Sequence, residues 1–160
     1  MFTLVRSGLE LLAEERGIMN SDPYFNRVSK DKDQLSDLEI EEEIQQAAEI
    51  GAERYLVRDA IGAFVGILDF LMRNPRDGYP WLGLLLVRKD AQGRGLGKTL
   101  LAHYEELMIE RGVHAYRLGA IVENEPAHQF WSKQGCIEVG PAQLPDGKAI
   151  VVYEKRLDRP

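Results

Sequence analysis

Residues Leu84 to Thr99, LLLVRKDAQGRGLGKT, constrain the chain more than any other stretch. Four apolar residues, Leu84 to Val87, end at the charged Arg88-Lys89-Asp90. Glycines then recur at Gly93, Gly95 and Gly97, and a helical pattern begins. A buried strand that breaks into a glycine-rich turn at a helix N-terminus is a ready anion site. The N–H groups of the first helical turn have no partner inside the helix, and the helix dipole adds partial positive charge there. Glycine lets the backbone approach a ligand closely and take dihedrals that other residues resist. The functional reading is a cradle for a phosphate-bearing group. The alternative is a loop that only turns a strand into a helix.

Two phosphate-binding templates fail on spacing. A dinucleotide fingerprint, G-x-G-x-x-G, started at Gly93 would need glycine at Lys98, and started at Gly95 would need it at Leu100. A P-loop could end in Gly97-Lys98-Thr99, but its first glycine would fall on Gln92. A third pattern, [QR]-x-x-G-x-[GA], is met by Gln92, Gly95 and Gly97. Downstream, Asn124, Ala127, Phe130, Trp131, Lys133, Gly135 and Cys136 fit N-x-x-A-x-x-[FL]-[YW]-x-K-x-G-[FC]. One helix and one strand separate the two motifs. On these residues the chain resembles the GCN5-related N-acetyltransferase (GNAT) superfamily, from about Tyr55 to Leu157.

At 160 residues the chain has the length of one domain, expected over 1–160, large enough to bury a sizeable core. Its net charge of −6 argues against nucleic acid and for a cationic partner, although the same charge also serves solubility. One cysteine excludes an internal disulfide framework and points to a reducing compartment, the cytoplasm. The N-terminus lacks a basic start followed by an apolar run, and no apolar stretch reaches the length of a membrane span. Neither secretion nor membrane association is therefore expected.

Along the chain, Met1 to Val5 reads as a short strand, and the leucines from Leu9 suggest a helix to about Gly17. Asn20 to Pro23 is a turn cluster, with Tyr24 and Phe25 in a linker that is either core or faces a substrate. After a polar loop from Asp31 to Asp37, Leu38 to Ile50 reads as a helix with Leu38, Ile44, Ala47 and Ala48 on its apolar face and Gly51 as terminator. Glu39, Glu41, Glu42 and Glu43 form either a solvated face or an acidic lip that attracts an amine. Arg54–Asp59 and Ala63–Arg73 read as strands, the second alternating Phe64, Gly66, Leu68, Phe70 and Met72 against Val65, Ile67, Asp69 and Leu71. Asp69 stands alone among apolar residues, so it needs a partner or a wet cleft. Trp81–Val87 lacks alternation and reads as a strand buried on both faces. Then come a helix with a stripe at Leu96, Leu100, Leu101, Tyr104, Leu107 and Met108, a strand at Ala115–Val122, a helix with Pro126 in its first turn, and two strands flanking the Pro145–Lys148 turn. The expected fold class is α/β (α+β): a mixed, mostly antiparallel sheet of six or seven strands with helices on both faces.

The resemblance implies the GNAT-like acyl-CoA N-acyltransferase fold, with the sheet splayed between the Val87 strand and the Ala115–Val122 strand. It implies acetyl-coenzyme A as acyl donor, no metal, and transfer of the acetyl group to a primary amine of a small molecule or peptide. Gln92, Gly93, Arg94, Gly95, Leu96, Gly97, Lys98 and Thr99 would bind the pyrophosphate. Leu85, Leu86 and Val87 would pair with the pantetheine as an added strand, a main-chain N–H near Leu85 or Leu86 would polarise the thioester carbonyl, and Asn124 would bond the pantetheine amide. Asn124 also suits an ordinary helix cap.

Proton handling departs from the family pattern. Many members carry a tyrosine seven residues after the asparagine, where this chain has Trp131. An indole N–H donates a hydrogen bond but is not a useful acid. Water, Tyr104 or Tyr153 then remains to protonate the thiolate. The subgroup that acetylates ribosomal-protein N-termini has a glutamate at the position of Gly119, so that substrate is not carried over. Base candidates are Asp69, Glu123 and His128. Cys136 reads as core. The rival reading is a non-catalytic acyl-coenzyme A sensor or partner-binding module on the same fold. The family's final strands often mediate dimers, so the resemblance allows a homodimer.

Overall fold

Seven runs rich in branched and aromatic residues form one sheet in the computed structural model, which describes residues 2–157. Met1, where the first strand was expected to begin, lies outside the described residues. In chain order the elements are β1 (Thr3–Arg6), α1 (Leu12–Met19), α2 (Pro23–Lys30), α3 (Asp37–Glu49), β2 (Glu53–Arg58), β3 (Phe64–Leu71), β4 (Trp81–Val87), α4 (Leu96–Glu110), β5 (Ala115–Ile121), α5 (Glu125–Lys133), β6 (Ile137–Gln143) and β7 (Ala149–Arg156). The strand order is β1-β2-β3-β4-β5-β7-β6, and only the β4–β5 pair is parallel. This is the mixed, mostly antiparallel architecture that the sequence predicts.

One core lies between the sheet and α4 with α5, where Leu100, Leu101, Tyr104, Met108 and Trp131 meet Leu68, Phe70, Leu118 and Tyr153. On the other face Ile18, Met19, Ile40 and Ile44 cover Leu56, Ile67 and Leu86. The apolar face of α3 is therefore Ile40, Ile44 and Ala47, at i, i+4 and i+7, while Leu38 and Ala48 stand exposed. A capping box fixes that phase: Ser36 Oγ accepts from Glu39 N at 3.2 Å, and Glu39 Oε1 accepts from Ser36 N at 3.0 Å.

Three further expectations are corrected. Tyr24 and Phe25 belong to the helix α2, which starts because Asp22 Oδ1 accepts from Phe25 N at 3.2 Å and Pro23 needs no N–H partner in the first turn. The alternation of β3 breaks at Val65, where Val57 pairs with Gly66 and Arg58 with Phe64. That bulge sends Phe64 to the α1–α3 side with Ile67, and Val65 to the α4 side. In β4, Gly83 is likewise an extra residue, since Asp69 pairs with Leu84 and Phe70 with Leu82. Gly83 is exposed, so β4 is not buried throughout.

Candidate active site

The Gly93–Lys98 segment forms an open cradle. Gly93 and Gly95 have φ of +82° and +75°, in the left-handed region, and no atom lies within 4 Å of where a Cβ would stand at either. Gly95 is the N-cap of the fifteen-residue α4. The first N–H to find an acceptor inside the helix is that of Thr99, 3.1 Å from Gly95 O, so the N–H groups of Leu96, Gly97 and Lys98 precede the hydrogen-bonded ladder. This is the donor set that an anion needs, with open space beside it at Gly93 and Gly95.

β4 leads from this cradle into the sheet. It pairs with β5 only at Trp81–Arg117 and Leu82–Leu118. Beyond Leu82 the two parallel strands separate, which leaves the β5-facing edge of residues 83–87 without a strand partner. An extended chain bearing amides can add to such an edge. A cleft of about 700 Å³ runs through this gap, lined by Leu85, Leu86, Val87, Gln92, Gly93, Gly95, Leu96, Gly97 and Lys98 at one end.

Asn124 and Trp131 flank the gap from α5. Asn124 Oδ1 accepts from Ala127 N at 3.3 Å, so it is the cap of that helix and also lines the cleft. The Gln92 side chain turns away from the cradle: its Nε2 donates to Val87 O at 2.9 Å and to Asp22 Oδ2 at 3.2 Å. Arg94 and Thr99 do not line the cleft. Arg94 reaches back to Asp90 O at 2.9 Å, and the Thr99 hydroxyl donates to Gly95 O at 3.0 Å.

At the other end the cleft is lined by α2 and α3 side chains and by Asp69 and Arg54. Arg54, 8% exposed, gathers three carboxylates. Its guanidinium lies 2.5 Å from Glu15, 2.9 Å from Asp69 Oδ2 and 3.2 Å from Glu43 Oε2. Glu15 is fully buried and also accepts from Ser7 Oγ. Lys30 Nζ sits 2.9 Å from Glu43 Oε1. With two cations against three carboxylates, the cluster keeps net negative charge. Asp69 thus has the partner that its position on β3 demands. Burial raises its pKa, Arg54 opposes that shift, and the charge of Glu43 adds to it. For Arg54 burial works against the charge, but Glu15, Asp69 and Glu43 together outweigh it and raise its pKa.

The remaining proton-transfer candidates lie off the cleft. Tyr104 is fully buried in the core, with its pKa raised by burial. The Tyr153 hydroxyl is 2.7 Å from His128 Nδ1, and His128 Nε2 stands 3.0 Å from both Ile121 O and Val122 O. Two carbonyls at one nitrogen call for a proton on Nε2, which donates to them and leaves Nδ1 facing the Tyr153 hydroxyl. Glu123 is exposed, and its carbonyl meets the Tyr24 hydroxyl at 3.5 Å. Cys136 is buried, and burial pushes its thiol up to about 11, so it is no nucleophile at neutral pH. Sequence reasoning missed Arg54 and Glu15 as parts of this region, because only the fold joins β2 to α1. Arginine on a strand was the available signal.

A family model described as the Acetyltransferase (GNAT) family matches residues 18–136. The chain belongs to that family, whose members generally use acetyl-coenzyme A as acyl donor and act on amine acceptors. Among solved structures it is similar to an acetyltransferase from Thermus thermophilus, at 22% identity and a TM-score of 0.82, covering 98% of this chain and 97% of that one. It is also similar to a Salmonella typhimurium acetyltransferase that modifies the N-terminal serine of ribosomal protein L7/L12, at 16% identity and a TM-score of 0.79, covering 98% and 95%. A spermidine N-acetyltransferase chimera of Vibrio cholerae and human sequence matches at 17% identity and a TM-score of 0.74, covering 98% and 95%. At these identities the likeness is one of fold. No curated protein matches the chain significantly by sequence. Among the described residues no helix is long and apolar enough to cross a membrane.

Proposed function

We propose that this chain is an acetyl-coenzyme A-dependent N-acetyltransferase that acts by direct attack of a primary amine, carried by a cationic small molecule or peptide. The observation that carries the reading is the continuity of one cleft from the glycine cradle, along the unpaired edge of β4, to the Arg54-centred carboxylates. When bound there, acetyl-coenzyme A supplies an activated acetyl thioester. The N–H groups of Leu96, Gly97 and Lys98 hold its pyrophosphate, with Gly93 and Gly95 allowing close approach. The free edge of Leu85, Leu86 and Val87 orients its arm, and Asn124 bonds one of its amides.

The cluster of Asp69 and Glu43 attracts the acceptor ammonium, and Asp69, which pairs across the sheet with Leu84 of β4, receives its proton. A β4 N–H near the Gly83 bulge polarises the acyl carbonyl. Trp131 shapes the cleft without serving as an acid. Solvent supplies the thiolate proton, since Tyr153 and Tyr104 are turned elsewhere. Glu123 takes no part.

Titration calorimetry with acetyl-coenzyme A tests donor binding, with affinity in the micromolar range expected; no heat at millimolar ligand would overturn the reading. A screen of polyamines, aminoglycosides, amino acids and N-terminal peptides, read by free thiol release, then tests catalysis. Tight binding without turnover on any amine would favour a non-catalytic acyl-coenzyme A sensor, the reading to which Trp131 lends support.

A further inference from the structure

The gap between β4 and β5 has a closed end, and that end is apolar. The last paired residues are Trp81 and Leu82 on β4 with Arg117 and Leu118 on β5. One residue beyond, Gly119 has no side chain, yet its side-chain space is already filled. A Cβ there would stand 2.6 Å from Ile150 Cδ1 and 3.2 Å from Trp81 Cζ2. Trp81, Gly119 and Ile150 all line the cleft that holds the cradle at its other end. Ile150 is 2% exposed and held opposite Ile121 by the pairing of β7 with β5.

A donor anchored at residues 93–98 and running back along β4 from Val87 delivers its acyl end to this wall. The geometry points to Trp81 and Ile150, folded over Gly119, as a stop that restricts the donor to short acyl groups. The inference rests on the donor placement proposed above. An acetyl methyl ends before the stop. Each further methylene must displace an indole or a packed isoleucine, and overpacking of that kind is costly. The charged partners of the acceptor lie at Asp69 and Glu43, so neither wall residue is needed to hold the ammonium.

Titration calorimetry on the whole chain with coenzyme A, acetyl-, butyryl- and octanoyl-coenzyme A decides the matter and needs no acceptor. Octanoyl-coenzyme A is expected to bind about tenfold or more weakly than the acetyl donor. Trp81→Ala and Ile150→Ala should each bring the two within about threefold, with free coenzyme A binding unchanged. Ile150→Val, which removes one methyl, should act in the same direction on butyryl-coenzyme A and serves if the larger truncations unfold. Failure of free coenzyme A to bind the wild type would overturn the donor reading itself. Equal affinity for acetyl and octanoyl donors, or discrimination unchanged in the folded variants, would overturn the stop alone.

Discussion

Asp22 Oδ2 accepts a hydrogen bond from Gln92 Nε2 at 3.2 Å, across 70 residues of sequence. The same carboxylate caps α2 through Phe25 N, and its neighbour Ser21 accepts from Lys89 N at 2.9 Å. The helix that walls the acceptor end is thereby tied to the loop that forms the cradle. Asp22→Ala should lower coenzyme A affinity several-fold and cost about 1 kcal/mol of stability through the lost cap. Asp22→Asn keeps an oxygen for Phe25 N, so its melting temperature should recover more than its affinity. Unchanged affinity in Asp22→Ala would show that the tie has no bearing on the cradle.

Gly95 offers the sharpest test of the anion site. Its φ of +75° strains any side chain, and the space before it is open. Gly95→Glu is expected to abolish coenzyme A binding by placing bulk and negative charge where the pyrophosphate belongs. Calorimetry on a variant that keeps the wild-type circular dichroism spectrum checks it, and retained affinity would place the phosphates elsewhere.

The pH dependence follows from the cluster. A base must be ionised, so kcat/KM should rise with pH through the pKa of Asp69, which burial raises from its ordinary value. The charge of Glu43 adds to that rise, so Glu43→Gln should move this limb of the profile to lower pH. Asp69→Asn should remove the limb together with most of the activity. The profile is measured with the amine that the screen identifies. A limb that persists in Asp69→Asn assigns the base to another group.

Arg54 is also a stability hinge. Arg54→Met would leave the fully buried Glu15 beside Asp69 and Glu43 without their shared cation. Losing one partner of a buried ionic group costs about 3–5 kcal/mol. Denaturant unfolding measures the difference, and a cost below about 1 kcal/mol would mean that water solvates the cluster.

Tyr153 is expected to be structural. Its hydroxyl is committed to His128, and burial raises its pKa. Tyr153→Phe should cost about 1 kcal/mol of stability and leave kcat within about twofold. A drop of about tenfold or more would return this phenol to the proton path.

Much of this was legible in order along the chain. The bounds of β4 and β7 follow from apolar runs ended by charge and by Pro145–Lys148, and the cradle follows from glycines at fixed spacing before a helical stripe. These are local matters of backbone freedom and periodicity, which neighbouring residues encode by themselves. The helix α2 reads as a linker in the sequence because its start depends on one capping aspartate that also looks like a turn residue.

The active-site chemistry is another matter. Asp69 announced itself as a polar residue among apolar ones, but its partners come from α1, α3 and β2, far apart in sequence. Equally, nothing local tells Tyr153, turned to His128 off the cleft, from a tyrosine that faces it. The sequence by itself determined the strand–loop–helix cradle and the succession of strands and helices along the chain, because hydrogen bonding and burial patterns repeat over short distances. Only the tertiary structure decided which carboxylates share Arg54 and which side chains close the gap over Gly119, because those contacts exist only once distant segments occupy the same volume.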